Sequence, residues 1–165
     1  MHLGDFNALD AHAAGEVLQV CAPVPRWSEA VVARRPFATA EDLYDVADAL
    51  ARDWSPGEVD AALADHPRIG EKHRSTGASA DHSAREQAGA AATVDAEIRT
   101  RLEDGNRLYE KTFDRIFLIR AAGRTAPEIL AELHRRLDND PQTELAETHD
   151  QLREIAVLRL KGSVS

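Results

Sequence analysis

Apolar residues recur along this chain at three- and four-residue steps. In the stretch AEDLYDVADALARDW, Leu43, Val46, Ala47, Leu50 and Trp54 fall on that spacing, the period of one face of an amphipathic α-helix. Helix starts are marked just as regularly. Ser55-Pro56-Gly57-Glu58 places a serine at the N-cap, proline at the first helical position and glutamate at the third, the pattern of a capping box. Ser83-Ala84-Arg85-Glu86 and Thr125-Ala126-Pro127-Glu128 repeat it, Thr39 precedes the 40–54 pattern, and Asp140-Pro141 opens a further helix.

These signals predict helices over 8–21, 25–34, 40–53, 56–64, 84–92, 95–111, 126–138 and 141–161. Phe117-Leu118-Ile119 is a short apolar run compatible with a helix or an extended segment. No paired strands or hairpin turns are legible, and no internal repeat. The expected fold is all-α: one domain over 1–165, built as a multi-helix bundle of about eight helices. The segment from Pro67 to His82 is rich in glycine, serine and charge and reads as a long loop, which in a compact domain usually serves function.

Composition narrows the partners. The chain has 165 residues, 43% hydrophobic and 30% charged, enough for a sizeable core. Twenty basic residues stand against 29 acidic ones, a net charge of −9, which argues against nucleic acid and anionic membrane as partners. A small anionic molecule stays possible where an arginine overcomes that field locally. The single cysteine, Cys21, permits no intrachain disulfide, and no stretch approaches the length of a membrane span. With no basic-then-apolar N-terminus and no Ser-Lys-Leu ending, a cytoplasmic location is expected.

Three places carry candidate chemistry. His66 precedes Pro67, which pushes it out of the α region at a helix–loop junction. It suits proton transfer near neutrality, or it caps a helix C-terminus as a cation. Glu86, with Ser83 and Gln87, sits at a predicted helix N-terminus, where it serves the capping box, an anion site, or both. Arg159 is the third. At about 100° per residue, Glu147, Asp150, Gln151, Glu154 and Lys161 gather on one side of the last helix and Leu145, Leu152, Ile155 and Ala156 on the other. Arg159 falls among the apolar set. A guanidinium there must meet a buried carboxylate, snorkel, or hold an anionic ligand.

The remaining histidines show no metal-ligand spacing, so no metal site is expected. Asn106-x-x-Tyr109 reads as a buried hydrogen-bonding pair, and Trp27 and Trp54 as core anchors.

Together the segments resemble the 2-oxo-4-hydroxy-4-carboxy-5-ureidoimidazoline (OHCU) decarboxylases. The resemblance runs from Phe6-Asn7 through Trp27, Arg35-Pro36-Phe37, His66-Pro67-Arg68-Ile69-Gly70, Ser83-x-x-Glu86-Gln87, Asn106-x-x-Tyr109, Phe117-Leu118-Ile119, Arg136-Leu137-Asp138-Asn139 and Glu144-Leu145 to Arg159-Leu160. It implies a homodimeric all-helical carboxy-lyase of urate degradation. Such an enzyme converts OHCU to (S)-allantoin and CO₂ without metal or organic cofactor. The likeness implies that His66 is the catalytic proton donor, Glu86 its partner carboxylate and Arg159 the clamp on the substrate. Pro67, Ser83, Gln87, Phe117, Leu118, Ile119, Arg120 and Ala121 match substrate-contacting positions. The sequence departs from the family pattern at Asp114, where glycine is common, and at Ala22-Pro23-Val24, which replaces a second cysteine and nearby serine.

Backbone N–H groups around 117–121 are expected to stabilise developing charge as an oxyanion hole does. Two other functions fit the residues alone: a helical enzyme acting on another ureido or imidazoline heterocycle, or a non-catalytic helical interaction module.

Overall fold

The structure is a computed structural model and describes residues 1–64, 66, 68, 69 and 96–165. Among them are eight helices: α1 (Leu3–Ala8), α2 (Ala11–Cys21), α3 (Pro25–Val32), α4 (Ala40–Ala51), α5 (Pro56–Leu63), α6 (Ala96–Phe113), α7 (Ala126–Leu137) and α8 (Pro141–Ser163). No strand occurs among the described residues, so the all-α expectation holds. The helix expected over 84–92 lies outside the described residues. The helix expected over 8–21 corresponds to α2 alone. The Asp10 side chain accepts from the Ala13 N–H at 2.8 Å, so α2 begins at Ala11, and α1 precedes it as a short helix the periodicity did not reveal.

The helices form where their caps allow. Thr39 and Asp42 bond reciprocally at 3.1 and 3.0 Å to start α4. Thr125 and Glu128 do the same for α7, and Ser55 and Glu58 for α5. Asp140 accepts from the N–H groups of Gln142 and Thr143 at the start of α8. Each such cap is worth about 1 kcal/mol.

The chain divides into two compact units, Met1–Ala62 with Leu152–Ser165, and Leu63–Gln151; the boundary falls within α8. In the first unit, α3 packs on α2 and α4. Trp27 and Trp54 are both buried, with ring centroids 5.6 Å apart and planes at 85°, and the Trp27 indole donates to the Ala47 carbonyl at 2.9 Å. Arg35 donates to the carbonyls of Phe6 and Leu9 at 2.9 and 2.7 Å, which closes the end of α1. The amide of Asn7 exchanges two hydrogen bonds with the Phe37 backbone. The first and last residues of the chain are paired too. The Leu3 N–H donates to Ser165 O and the Ser165 N–H to Met1 O, at 2.9 and 3.0 Å.

In the second unit, α6 packs on α7. Gly105 lets them approach: a Cβ there would lie 2.5 Å from Leu133 Cδ2. Leu102, Tyr109, Phe113, Phe117, Ile119, Ala121, Ile129, Leu130 and Leu133 form its core. After α6 the chain turns at Asp114, whose φ of 54° is left-handed and whose N–H donates to Glu110 O at 2.9 Å. This is an αL C-cap, the place where glycine carries no Cβ penalty. Aspartate here thus occupies a backbone position that glycine would fill without strain.

Candidate functional site

His66 stands just past the end of α5, where its N–H donates to Leu63 O at 2.9 Å; its side chain is half-buried. Two residues further, Arg68 forks onto Glu110 of α6, with Nη2 to Oε2 at 2.8 Å and Nε on Oε1. The next residue, Ile69, offers its carbonyl to the Asn106 amide at 3.2 Å. Asn106 and Tyr109 are both buried, but they do not form a pair: Asn106 reaches Ile69, while Tyr109 turns to other partners.

Those partners are Glu144 and Arg136, which are 0% and 1% exposed. The Tyr109 hydroxyl donates to Glu144, Arg136 bonds the same carboxylate through Nε at 2.8 Å and through Nη2, and Nη2 also reaches Thr148 Oγ1 at 3.0 Å. Burial, with the Glu144 carboxylate beside it, pushes the Tyr109 phenol up to about 12. The guanidinium also lies over the Phe117 ring, 4.8 Å from its centroid. Charges this deep are tolerable only when every hydrogen-bonding position is used.

The segment 116–121 has no regular secondary structure, so Phe117-Leu118-Ile119 is neither helix nor strand. Phe117, Ile119 and Ala121 alternate into the core of the second unit. Between them, the Leu118 carbonyl accepts from Arg136 Nη1 at 2.7 Å and the Arg120 N–H donates to Gln151 Oε1 at 2.9 Å. The oxyanion-hole expectation therefore needs correction at Arg120, whose N–H already has a side-chain acceptor.

Arg159 belongs to the first unit and is 2% exposed, as its angular position on α8 predicted. Its Nη1 donates to the Cys21 carbonyl at 3.4 Å, a long bond. Ser163 Oγ donates back to Arg159 O at 2.9 Å. Burial pushes the Cys21 thiol up to about 11, against the opposing pull of Ser163 and Arg159. The stripe on the first half of α8 differs from expectation: Glu144 and Thr148 are buried and Leu145 is only half-buried, whereas Leu152 is buried as expected.

Of the expected site residues, the structure thus describes His66, Arg159 and Phe117, Leu118, Ile119, Arg120 and Ala121. Pro67, Ser83, Glu86 and Gln87 lie outside the described residues. His66 and the 117–121 segment share the second unit, and Arg159 belongs to the first.

Sequence reasoning missed the roles of Arg136, Glu144, Gln151 and Glu110. Arg136 was findable, because it lies seven residues after Ile129 and three after Leu133, both buried on α7. It sits in the apolar stripe just as Arg159 does.

The class these features define is an all-helical protein that spends buried arginines on pinning backbone and carboxylate. Comparison with known proteins specifies it further. The family model for OHCU decarboxylase matches residues 7–161, and the chain belongs to that family. A mouse 2-oxo-4-hydroxy-4-carboxy-5-ureidoimidazoline decarboxylase is 31% identical over 88% of this chain and 81% of its own length. The uric acid degradation bifunctional protein TTL of Arabidopsis thaliana is 31% identical over 86% of this chain, which spans 44% of that longer protein. A crystal structure of OHCU decarboxylase in the presence of (S)-allantoin superposes with a TM-score of 0.74 at 27% identity, covering 87% of this chain and 94% of the other.

Proposed function

We propose that this protein decarboxylates OHCU to (S)-allantoin and CO₂ in urate degradation. The observation that carries the reading is the family match over 7–161, which embraces every candidate site residue. We further propose that the two units work as one domain over 1–165, and that the protein acts as a cytoplasmic homodimer.

In the proposed chemistry, the bond from the ring carbon to the carboxylate breaks and CO₂ leaves with the carboxylate oxygens. The electron pair left behind spreads into the unsaturated ring, so the substrate supplies the sink that other decarboxylases take from an organic cofactor. His66, as imidazolium, then gives that carbon a proton from one face and regains one from solvent. Delivery from one side explains a single enantiomer.

Glu86 orients and charges His66, and Arg159 clamps an anionic group of the substrate. Pro67, Ser83, Gln87 and 117–121 line the bound ring. Support for Arg159 comes from its burial at 2% exposure within an apolar stripe. Support for His66 comes from its fixed place at the end of α5.

The test is turnover of freshly generated OHCU, followed by CO₂ release and by circular dichroism of the allantoin formed. The wild-type chain should give optically active allantoin faster than the spontaneous reaction, and His66→Asn should fall to the spontaneous rate with helicity intact. A wild-type rate equal to the spontaneous one removes the proposal, and an undiminished His66→Asn removes that residue's role.

A further inference from the structure

We propose that Glu110 is a positioning residue for His66, acting through the Arg68 guanidinium. The inference rests on the proposed role of His66 as proton carrier.

Four hydrogen bonds hold His66 and its neighbours Arg68 and Ile69. Its own N–H is tied back to Leu63 O at 2.9 Å. On the other side, Arg68 is gripped by both oxygens of Glu110, and Asn106 holds Ile69 O at 3.2 Å. Asn106 and Glu110 are four residues apart, so they stand on one face of α6 one turn from each other. His66, Arg68 and Ile69 are thereby each tied to a helix.

A two-point carboxylate–guanidinium fork fixes direction as well as distance. Proton transfer is sensitive to displacements of about 1 Å, which can cost on the order of a hundredfold in rate. Arg68 and Glu110 are 44% and 27% exposed. At that exposure an ion pair adds little to stability, so the bridge has more to offer geometry than folding.

Three full-length proteins decide the matter: wild type, Glu110→Gln, and the charge exchange Arg68→Glu with Glu110→Arg. Each is assayed with freshly generated OHCU, melted, and examined by NMR at the His66 Cε1–Hε1 resonance, assigned by its loss in His66→Asn. Glu110→Gln should lower kcat about tenfold with KM within about threefold, and its Tm should stay within about 2 °C of wild type. Its His66 resonance should shift. The exchanged pair should recover most of the lost kcat and return the resonance toward wild type.

Wild-type kcat in Glu110→Gln overturns the proposal, as does an exchanged pair no better than the single variant, or an unmoved His66 resonance. If the wild type itself leaves OHCU unchanged, the proton-carrier role falls instead, and the resonance alone then decides whether Glu110 positions His66.

Discussion

Arg136 donates through Nη1 to the Leu118 carbonyl at 2.7 Å from a side chain only 1% exposed. Its Nε and Nη2 donate to Glu144, and Nη2 also reaches Thr148 Oγ1 and the Tyr109 hydroxyl. One buried cation thus neutralises a buried carboxylate and holds the backbone of a segment proposed to touch substrate.

Breaking that pair should be costly. Glu144→Gln removes the nearest counter-ion of the buried Arg136 and leaves only Glu147, 3.8 Å from Nε, among the carboxylates paired with it, a loss of up to about 3–5 kcal/mol. Replacing both members, as Arg136→Met with Glu144→Leu, should cost less than the single change. Urea unfolding midpoints of the three proteins check this, and a single variant within about 1 kcal/mol of wild type would rule the network out as a structural constraint.

Gly105→Ala should destabilise even though alanine is the better helix former by about 1 kcal/mol. The new Cβ meets Leu133 Cδ2 at 2.5 Å and Cγ at 3.2 Å, and Leu133 is fully buried. Overpacking of that kind costs about 1–3 kcal/mol, so a net fall in Tm is expected. In a Leu133→Ala background the same substitution should become neutral or stabilising.

Asp114→Gly should stabilise. The residue sits at φ 54°, where a side chain costs roughly 1 kcal/mol and glycine nothing. Asp114→Val should lower Tm, because a β-branched side chain fits that region poorly. Equal melting temperatures for all three would show that the turn is indifferent to its residue.

Alkaline pH should weaken the fold in two stages. Burial raises the Cys21 thiol from 9.0 to about 11. A group whose folded value is raised contributes fully below its unfolded value, and that contribution is lost as pH climbs to the folded one. Stability should therefore decline between pH 9 and about 11 on account of Cys21. Tyr109 adds a second loss between 10 and about 12. Cys21→Ala should flatten the first stage in urea titrations at increasing pH, and native Cys21 should resist iodoacetamide at neutrality.

Much of this architecture was legible because capping is local chemistry. Thr39, Ser55, Thr125 and Asp140 each announce a helix within four residues, and each does start one. Arg159 was legible because helical phase is fixed by counting. The start of α2 was not, since Asp10 as a cap looks the same as any acidic residue within a longer helix.

The Arg136 network stayed hidden for a different reason: it joins residues on three helices, and only tertiary proximity reveals that the partner of Arg136 is Glu144. Similarly, an apolar triplet such as 117–119 does not state its conformation. Here it is set by bonds to Arg136 and Gln151, side chains from α7 and α8.

The unit that begins at Met1 is finished only by Leu152–Ser165, and backbone bonds join Leu3 to Ser165 and Ser165 to Met1. A ribosome making this chain must therefore emit all of Leu63–Gln151 before α1 can acquire its last partners. At about 5–20 residues per second, the newborn N-terminal helices wait several seconds with unfinished apolar faces, a vulnerable interval that chaperones are suited to cover.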